Sequence, residues 1–282
     1  MQDEILQKNK IYDQADSAVW QLAVYAPVHD GWEFTNMGGT HVLDFVGEYA
    51  RLDQSKRVLE FCCGLGDTCR YLAKKFGCRV TGVDMNVHQV NRAQAKLARR
   101  EPALANRIDF IHSDVLRLSL ERRYDAAYLI DSLMLIDNTL AVFKKLREML
   151  KPNGRLVLAE MVAGPNITSE ATEYAREEDG IVSLPTPAGY ESTLAAAGFQ
   201  VTHVEDITGL AENCFEKIRH ATLEQETAIT AAAGSKVHQN WVELSCNYWR
   251  YFHERQFAYC LIAAECKRPL AENQDRLAHF NC

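Results

Sequence analysis

The stretch Leu59–Cys69, "LEFCCGLGDTC", combines residue types that could carry out three kinds of chemistry. An acidic residue, Glu60, precedes two glycines at alternating positions, Gly64 and Gly66, and three cysteines lie around them. Glycines allow a sharp turn and the close approach of a ligand to the backbone. Thiols, in contrast, can ligate a metal ion or undergo redox exchange. The stretch alone therefore fits a nucleotide cradle, a metal site or a redox centre.

The distribution of the nine cysteines argues against the last two of these alternatives. The sequence contains no CxxC pair and no Cys–His cluster with zinc-finger spacing. Several cysteines lie in apolar runs, such as Cys260 in "FAYCLIAAEC", where a free thiol behaves as a small hydrophobic residue. We therefore expect free structural thiols and no metal site.

An acidic residue farther along the chain supports the nucleotide cradle. "RVLEFC" is a strand candidate, "TCRYLAKKF" a helix, and "CRVTGVD" a second strand that ends at Asp84, twenty residues after Gly64. A carboxylate at that distance can accept hydrogen bonds from both hydroxyls of a ribose. A nicotinamide dinucleotide would require glycine or alanine at a third position, which Cys69 occupies, so this cofactor is disfavoured.

Strand and helix patterns alternate from about residue 57 onward and predict the elements that hold this cradle. Seven short β-rich runs are separated by helical patterns, which predicts βαβ units and a mostly parallel sheet flanked by helices. The section from 164 to about 185 is less regular. Residues 210–253 look wholly helical and interrupt the alternation before the last strand.

Composition and charge restrict the classes of function. The net charge of −7 argues against a general nucleic-acid-binding role. No run of about 18 apolar residues is present, and the N-terminus lacks an apolar signal core, so we expect a cytoplasmic protein without a membrane span. The oligomeric state is left open, with a homodimer among the alternatives.

Several motifs carry a family resemblance. "RVLEFCCGLGDTCRYLAKKFGCRVTGVDMNVHQVNRA" resembles the first two motifs of class I S-adenosylmethionine-dependent methyltransferases, and "IDFIHSDVLRL", "YDAAYLIDSLMLI" and "LREMLKPNGRLVLAE" are similar to later ones. The likeness extends over about residues 10–210 and the last strand. It is greatest to the small-molecule branch, which includes glycine- and sarcosine-type N-methyltransferases and natural-product methyltransferases.

The resemblance implies a Rossmann-like seven-stranded sheet, S-adenosylmethionine as cofactor and a small-molecule acceptor. Methyl transfer would be a direct displacement at an amine nitrogen, or at oxygen or carbon of a specialised metabolite. The expected division of the chain is an N-terminal helical cap segment at 1–50, a cofactor-binding core at 51–209, a helical lid insertion at 210–253, the final strand at 254–268 and a loose tail at 269–282.

The same resemblance assigns cofactor contacts residue by residue. Glu60 and Gly64 would hold the methionine end, Asp84 the ribose, and Met85 the adenine ring. The full expected set is Tyr12, Glu60, Cys62, Gly64, Gly66, Asp84, Met85, Gln89, Asp114, Val115 and Asp131.

Candidate catalytic residues are His29 in "HDGWEF", Asp131 at the end of the fourth strand, and Glu160 at the end of the fifth. For His29 the alternative is a loop histidine that caps a backbone group, and for Glu160 a carboxylate at the surface or behind the site. Leu135 stands where many relatives have a histidine. That difference leaves open a cyclase or lyase that binds the cofactor without transferring methyl, beside an NAD(P)-dependent oxidoreductase or a non-catalytic partner protein.

Overall fold

The computed structural model describes residues 21–120 and 123–266, with the side chains of 21 and 22 excepted. Within these ranges, seven strands form one sheet in the order β3-β2-β1-β4-β5-β7-β6. All neighbouring pairs are parallel except those of β7, which runs antiparallel to both β5 and β6. The strands are β1 Arg57–Phe61, β2 Arg79–Asp84, β3 Ile108–His112, β4 Tyr124–Ile130, β5 Leu150–Ala163, β6 Phe199–Asp206 and β7 Phe257–Cys266. The predicted fold class, a mostly parallel seven-stranded sheet flanked by helices, is confirmed.

Helices lie on both faces of this sheet. Short helical turns at Gln21–Tyr25, Ala26–Val28, Pro102–Leu104 and Leu133–Leu135 join the longer elements. The longer helices are α1 Gly39–Tyr49, α2 Asp67–Phe76, α3 Val87–Arg100, α4 Thr139–Met149, α5 Ser169–Asp179, α6 Pro187–Ala196, α7 Thr208–Glu224, α8 Glu226–Ala233 and α9 Ser235–His253. None of these described helices is both long enough and apolar enough to span a membrane.

Helix α5 differs from the sequence-based expectation of an irregular section between 164 and 185. The Thr168 side chain accepts a hydrogen bond from the Ala171 N–H at the start of the helix, and Gly180 ends it with a φ of 65°. A capping threonine and a left-handed glycine are the usual start and stop signals of a helix. These two signals were present in the sequence and were missed.

The central strands are buried on both faces, which explains their continuous apolar runs. Alternate residues of β1 point to opposite faces, so that Val58 belongs to one hydrophobic cluster whereas Leu59 and Phe61 belong to the other. Along β7, eight successive residues from Phe257 are buried. Such runs are typical of strands covered by helices on both sides.

The helical insertion α7–α9 lies on the face of the sheet that Val58 occupies. Helix α7 packs against the turns at 21–28 and against β7, and it places Cys214 and Phe215 in the same hydrophobic cluster as Val58. The insertion and the N-terminal segment therefore meet on one face. In this topology the chain order reverses between β1 and β4, and ligands of open α/β sheets bind at the carboxyl ends of such strands.

Candidate active site

The turn after β1 contains three residues with left-handed backbone, namely Cys62, Gly64 and Gly66, with φ values of 61°, 49° and 71°. A Cβ atom at Gly66 would lie 2.3 Å from the Phe110 ring, so a side chain cannot be accommodated there. A Cβ atom at Gly64 would meet no atom within 4 Å. Gly66 is thus required by packing, whereas Gly64 presents bare backbone to open space.

Asp84 joins this turn to the end of β2. The Gly64 N–H donates to Asp84 Oδ2 at 2.8 Å, and the Asn86 N–H donates to Oδ1 at 2.9 Å. Burial raises the pKa of Asp84, and these two backbone hydrogen bonds oppose that rise. The next residue, Met85, has 47% of its surface exposed. A carboxylate and an apolar surface therefore lie side by side next to the open face of Gly64.

Gln89, Asp114 and Val115 differ in how free they are to bind a ligand. Gln89 is buried, and its Oε1 atom has no hydrogen-bond partner among the described residues. Asp114 Oδ1 accepts from the Leu116 N–H at 2.9 Å and so closes its own turn. Val115 is buried in the core. The buried Gln89 amide oxygen therefore has unused hydrogen-bonding capacity, whereas Asp114 is 43% exposed and its Oδ2 lies 3.5 Å from Arg117.

Glu60 is buried beneath the glycine turn, where three side chains of this chain donate hydrogen bonds to its carboxylate. Thr68 Oγ1 donates to Oε1 at 2.5 Å, and both Cys69 Sγ and the Tyr128 hydroxyl donate to Oε2 at 2.7 Å. Burial raises the pKa of Glu60 to about 7, although these three hydrogen bonds oppose the rise. Through Thr68 and Cys69, Glu60 stabilises the start of the helix that follows the turn. Its contact with the methionine end of a cofactor stays a prediction.

Asp131 follows β4 with a left-handed φ of 48°. The Met37 N–H donates to its Oδ2 at 2.9 Å, and the Tyr259 hydroxyl lies 3.2 Å from the same atom. Its buried Oδ1 has no partner among the described residues. Burial raises the pKa of Asp131 to about 7, against the effect of the two hydrogen bonds. Asp131 therefore offers one free carboxyl oxygen whose protonation changes near neutral pH.

Glu160 lies in the interior behind Asp131. It is fully buried, and the N–H groups of Ser132 and Leu133 donate to Oε2 at 3.0 and 3.1 Å. Burial first, and then the charge of Asp131, raise the pKa of Glu160 well above its usual value. A surface position is thus contradicted. Glu160 instead holds the backbone that follows Asp131.

His29 occupies the junction between the N-terminal segment and helix α7. Its Nε2 lies 4.0 Å from Cys214 Sγ, and its ring stacks on Tyr25 with 6.0 Å between the ring centroids. Burial and, second, the charge of Lys217 lower the pKa of His29 to about 4. The ring is therefore neutral at neutral pH. These contacts place it beside Cys214 of α7, whose pKa is raised to about 12 by burial first and then by the charge of Asp131.

The structure also reveals partners that sequence reasoning missed. Met37, Tyr128 and Tyr259 bind the predicted acids, but no local motif marks them. In the sequence, Tyr128 and Tyr259 stand out only as polar-tipped residues within buried strands, and Met37 only as the residue before a pair of glycines. Tyr12, predicted to close over a cofactor, lies outside the described residues.

Residues 39–204 match the family described as the methyltransferase domain. The chain belongs to the methyltransferase-domain family. The resemblance seen in the motifs is thereby confirmed.

Individual relatives are distant. This methyltransferase-domain chain is 22% identical over 170 residues to methyltransferase phqN of Penicillium fellutanum, covering 58% of this chain and 52% of phqN. It is 27% identical over 207 residues to O-methyltransferase cnsE of Penicillium expansum, covering 70% of this chain and 74% of cnsE. The chain thus spans about half the length of phqN.

A solved structure shares the fold at low sequence identity. Phosphoethanolamine N-methyltransferase 2 of Haemonchus contortus, in complex with S-adenosyl-L-methionine, superposes with a TM-score of 0.79 at 18% identity. The superposition covers 90% of this chain and 57% of that one. At this identity the likeness concerns the fold alone.

Proposed function

We propose that this protein transfers a methyl group from S-adenosylmethionine to a small-molecule acceptor. The observation that carries the proposal is the cradle itself: Asp84 is bonded to the Gly64 N–H, and the face of Gly64 is open. Membership of the methyltransferase-domain family supports the reaction class.

The residues of the cradle fit an adenosyl cofactor. Asp84 would accept from the ribose hydroxyls, and the buried Gln89 Oε1 on the following helix offers a further unused acceptor. The exposed Met85 side chain would pack on the adenine ring. Because a Cβ atom at Gly64 would occupy the open space, the absence of a side chain there leaves room for the ligand.

The bound cofactor would supply an electrophilic methyl group. This chain has to hold the acceptor in line, exclude water and remove a proton, and positioning of this kind is worth effective molarities of about 10⁵ M or more. Asp131 Oδ1 is the atom we assign to accept the proton, since it has no described partner and its pKa is about 7. Tyr259 and the Met37 N–H orient the carboxyl group through Oδ2.

The charges around this carboxyl group favour an amine acceptor. The described hydrogen-bond donors to Asp131 and Glu160 are neutral backbone and hydroxyl groups, so the two acids meet no cationic partner in those contacts. A cationic or proton-donating group would compensate such buried acids. We therefore propose nitrogen as the attacked atom. Transfer to oxygen or carbon is a competing outcome that an acceptor screen decides.

The test begins with calorimetric binding of S-adenosylhomocysteine to the wild type and to two alanine variants. Asp84→Ala removes the bond to Gly64 and is expected to abolish measurable binding. Asp125→Ala is the matched control, because Asp125 also accepts from a backbone N–H, that of Arg57 at 2.9 Å, but Arg57 is the first residue of β1 and lies at the other end of that strand. Equal affinity in wild type and Asp84→Ala would contradict the assignment of the cradle.

The second step uses S-adenosylmethionine labelled in its methyl group and a panel of amines, alcohols and activated carbon acceptors. Appearance of label in an acceptor supports methyl transfer and identifies the atom. Tight binding without label in any acceptor would favour a cyclase or lyase instead.

We also propose a cytoplasmic location and a homodimer, and sedimentation analysis measures the oligomeric state.

A further inference from the structure

One buried lysine connects parts of the chain that are far apart in sequence. Lys96, on α3, has only 8% of its side chain exposed. Its Nζ lies 2.7 Å from Glu33 Oε2 and 2.6 Å from Asp67 Oδ2. Two arginines extend the cluster, with Arg100 2.7 Å from Glu33 and Arg70 2.6 Å from Asp67. A single ammonium group thus bridges two buried acids.

The electrostatics of this cluster indicate a geometric rather than a stabilising role. Burial alone would raise the pKa of Glu33, but the hydrogen bond and charge of Lys96 and the charge of Arg100 hold it below its usual value. For Asp67, burial outweighs Lys96 and Arg70 and leaves the pKa raised. Desolvation of buried ions cancels much of their attraction, so such clusters add little net stability. Removing one member, however, leaves an uncompensated charge.

The two acids belong to the two halves of the candidate active site. Asp67 is the first residue of α2 and follows Gly66 directly, so its position is tied to the glycine turn. Glu33 lies in the segment of residues 29–37. At one end this segment holds His29 against α7, and at the other the Met37 N–H donates to Asp131 at 2.9 Å. The 29–37 segment therefore reaches the proposed proton acceptor.

Aromatic contacts fix the same segment beside the cluster. The Trp32 ring stacks on Phe34 with 5.2 Å between the ring centroids, and the Arg70 guanidinium carbon lies 5.3 Å from the Trp32 centroid. Arg70 also pairs with Asp67. Arg70, a residue of α2, thus contacts the 29–37 segment through Trp32, in addition to the bridge that the Lys96 ammonium group makes.

We propose that Lys96 is a positioning residue for the proposed methyl transfer. Lys96 forms ion pairs with both Glu33 and Asp67, and these pairs hold the 29–37 segment at a fixed distance from the glycine turn. The Met37 N–H and Asp131 are thereby aligned with the cofactor cradle. The inference rests on the proposed function for its catalytic meaning. The effect of Lys96 on the mobility of the 29–37 segment can be measured by hydrogen exchange, without any methyl transfer.

The experiment compares Lys96→Met with Lys74→Met in the full chain. Lys74 is the matched control, because it is 63% exposed, pairs with Glu101 at 3.3 Å and lies 5.8 Å from the Trp32 centroid, so its loss removes a cation beside the same segment without breaking the bridge between Glu33 and Asp67. Hydrogen exchange of the amides at 32–37 and calorimetric affinity for S-adenosylhomocysteine are measured together with the unfolding midpoint. We expect Lys96→Met to speed exchange at the Met37 amide and to weaken affinity by about tenfold or more, and Lys74→Met to change affinity by less than about twofold.

A neutral triple variant guards against simple loss of folding. In Lys96→Met combined with Glu33→Gln and Asp67→Asn, the three bridged groups carry no charge, Arg70 keeps Glu101 at 3.3 Å and Arg100 is 36% exposed, so part of the lost stability should recover while affinity and exchange stay altered. If the triple variant recovers stability together with wild-type affinity and exchange, the role is merely structural and the proposal is overturned. Unchanged exchange and affinity in a folded Lys96→Met also overturns it.

Failure of the proposed function would give a different result. A wild-type chain that does not bind S-adenosylhomocysteine refutes the cofactor assignment. In that case, hydrogen exchange at the Met37 amide alone tests whether Lys96 holds the 29–37 segment in place. Faster exchange in Lys96→Met, but not in Lys74→Met, supports the fastening of the 29–37 segment, and equal exchange in both contradicts it.

Discussion

Replacing Asp131 by asparagine should remove the proposed proton acceptor, which would change its protonation around neutral pH. Its free Oδ1 and its pKa of about 7 determine the expected profile. With that pKa, about one-eleventh of the carboxyl groups are ionised at pH 6 and about ten-elevenths at pH 8. A rate that requires the carboxylate should therefore rise about tenfold between these two pH values.

The assay is single-turnover transfer of labelled methyl from about pH 5.5 to 8.5 with saturating acceptor. Asp131→Asn keeps the shape of the side chain but cannot accept the proton, so we expect the rate to fall by about 10²–10⁴-fold and the step near pH 7 to vanish. Two acceptors with different amine pKa values separate ionisation of the enzyme from that of the substrate.

Glu60 provides the necessary control, because its pKa is also about 7. In Glu60→Gln the step near pH 7 should persist, since Glu60 contacts Thr68, Cys69 and Tyr128 rather than the acceptor side. A step that persists in Asp131→Asn but disappears in Glu60→Gln would refute the reasoning. So would an Asp131→Asn rate within about threefold of the wild type.

Three further predictions follow from local geometry and burial. Gly66→Ala should lower the free energy of unfolding by about 1–3 kcal/mol or more, because its Cβ would meet Phe110 and its φ is positive, whereas Gly209→Ala, with open space in helix α7, should be neutral or stabilising. Denaturant unfolding compares the two, and equal losses would contradict the packing argument. The folded pKa of Asp131 lies above its ordinary value of 3.8, so stability present below about pH 4 should be lost as the pH rises towards 7. Asp131→Asn should remove that loss, and thermal unfolding at several pH values measures it. The His29 ring, with a pKa of about 4, should show no NMR titration between about pH 5.5 and 8, and a midpoint near 6.5 would place it in solvent instead.

Much of the fold could be read from local patterns. Short β-rich runs separated by helical patterns predicted all seven strands, because a buried strand and an amphipathic helix differ in the spacing of their hydrophobic residues. The glycine turn and Asp84 were also predictable, since a strand, a tight turn and a terminal acid have a recognisable spacing. Helix α5 was missed although Thr168 and Gly180 mark its ends.

The contacts of the candidate site depend instead on residues brought together by folding. Asp131 is 94 positions from Met37 and 128 from Tyr259, and Lys96 is 63 positions from Glu33. No local period encodes such pairs, because they depend on the order and register of strands across the sheet. The burial that raises the pKa of Asp131 and lowers that of His29 arises in the same way.

The sequence by itself therefore determined the strands, the glycine turn and the acid that closes it, since each depends on neighbouring residues. Only the tertiary structure decided which carboxyl oxygen is free, which histidine is neutral and which lysine links the two halves of the site. The physical reason is that desolvation and hydrogen bonding are set by the groups that surround a side chain in space.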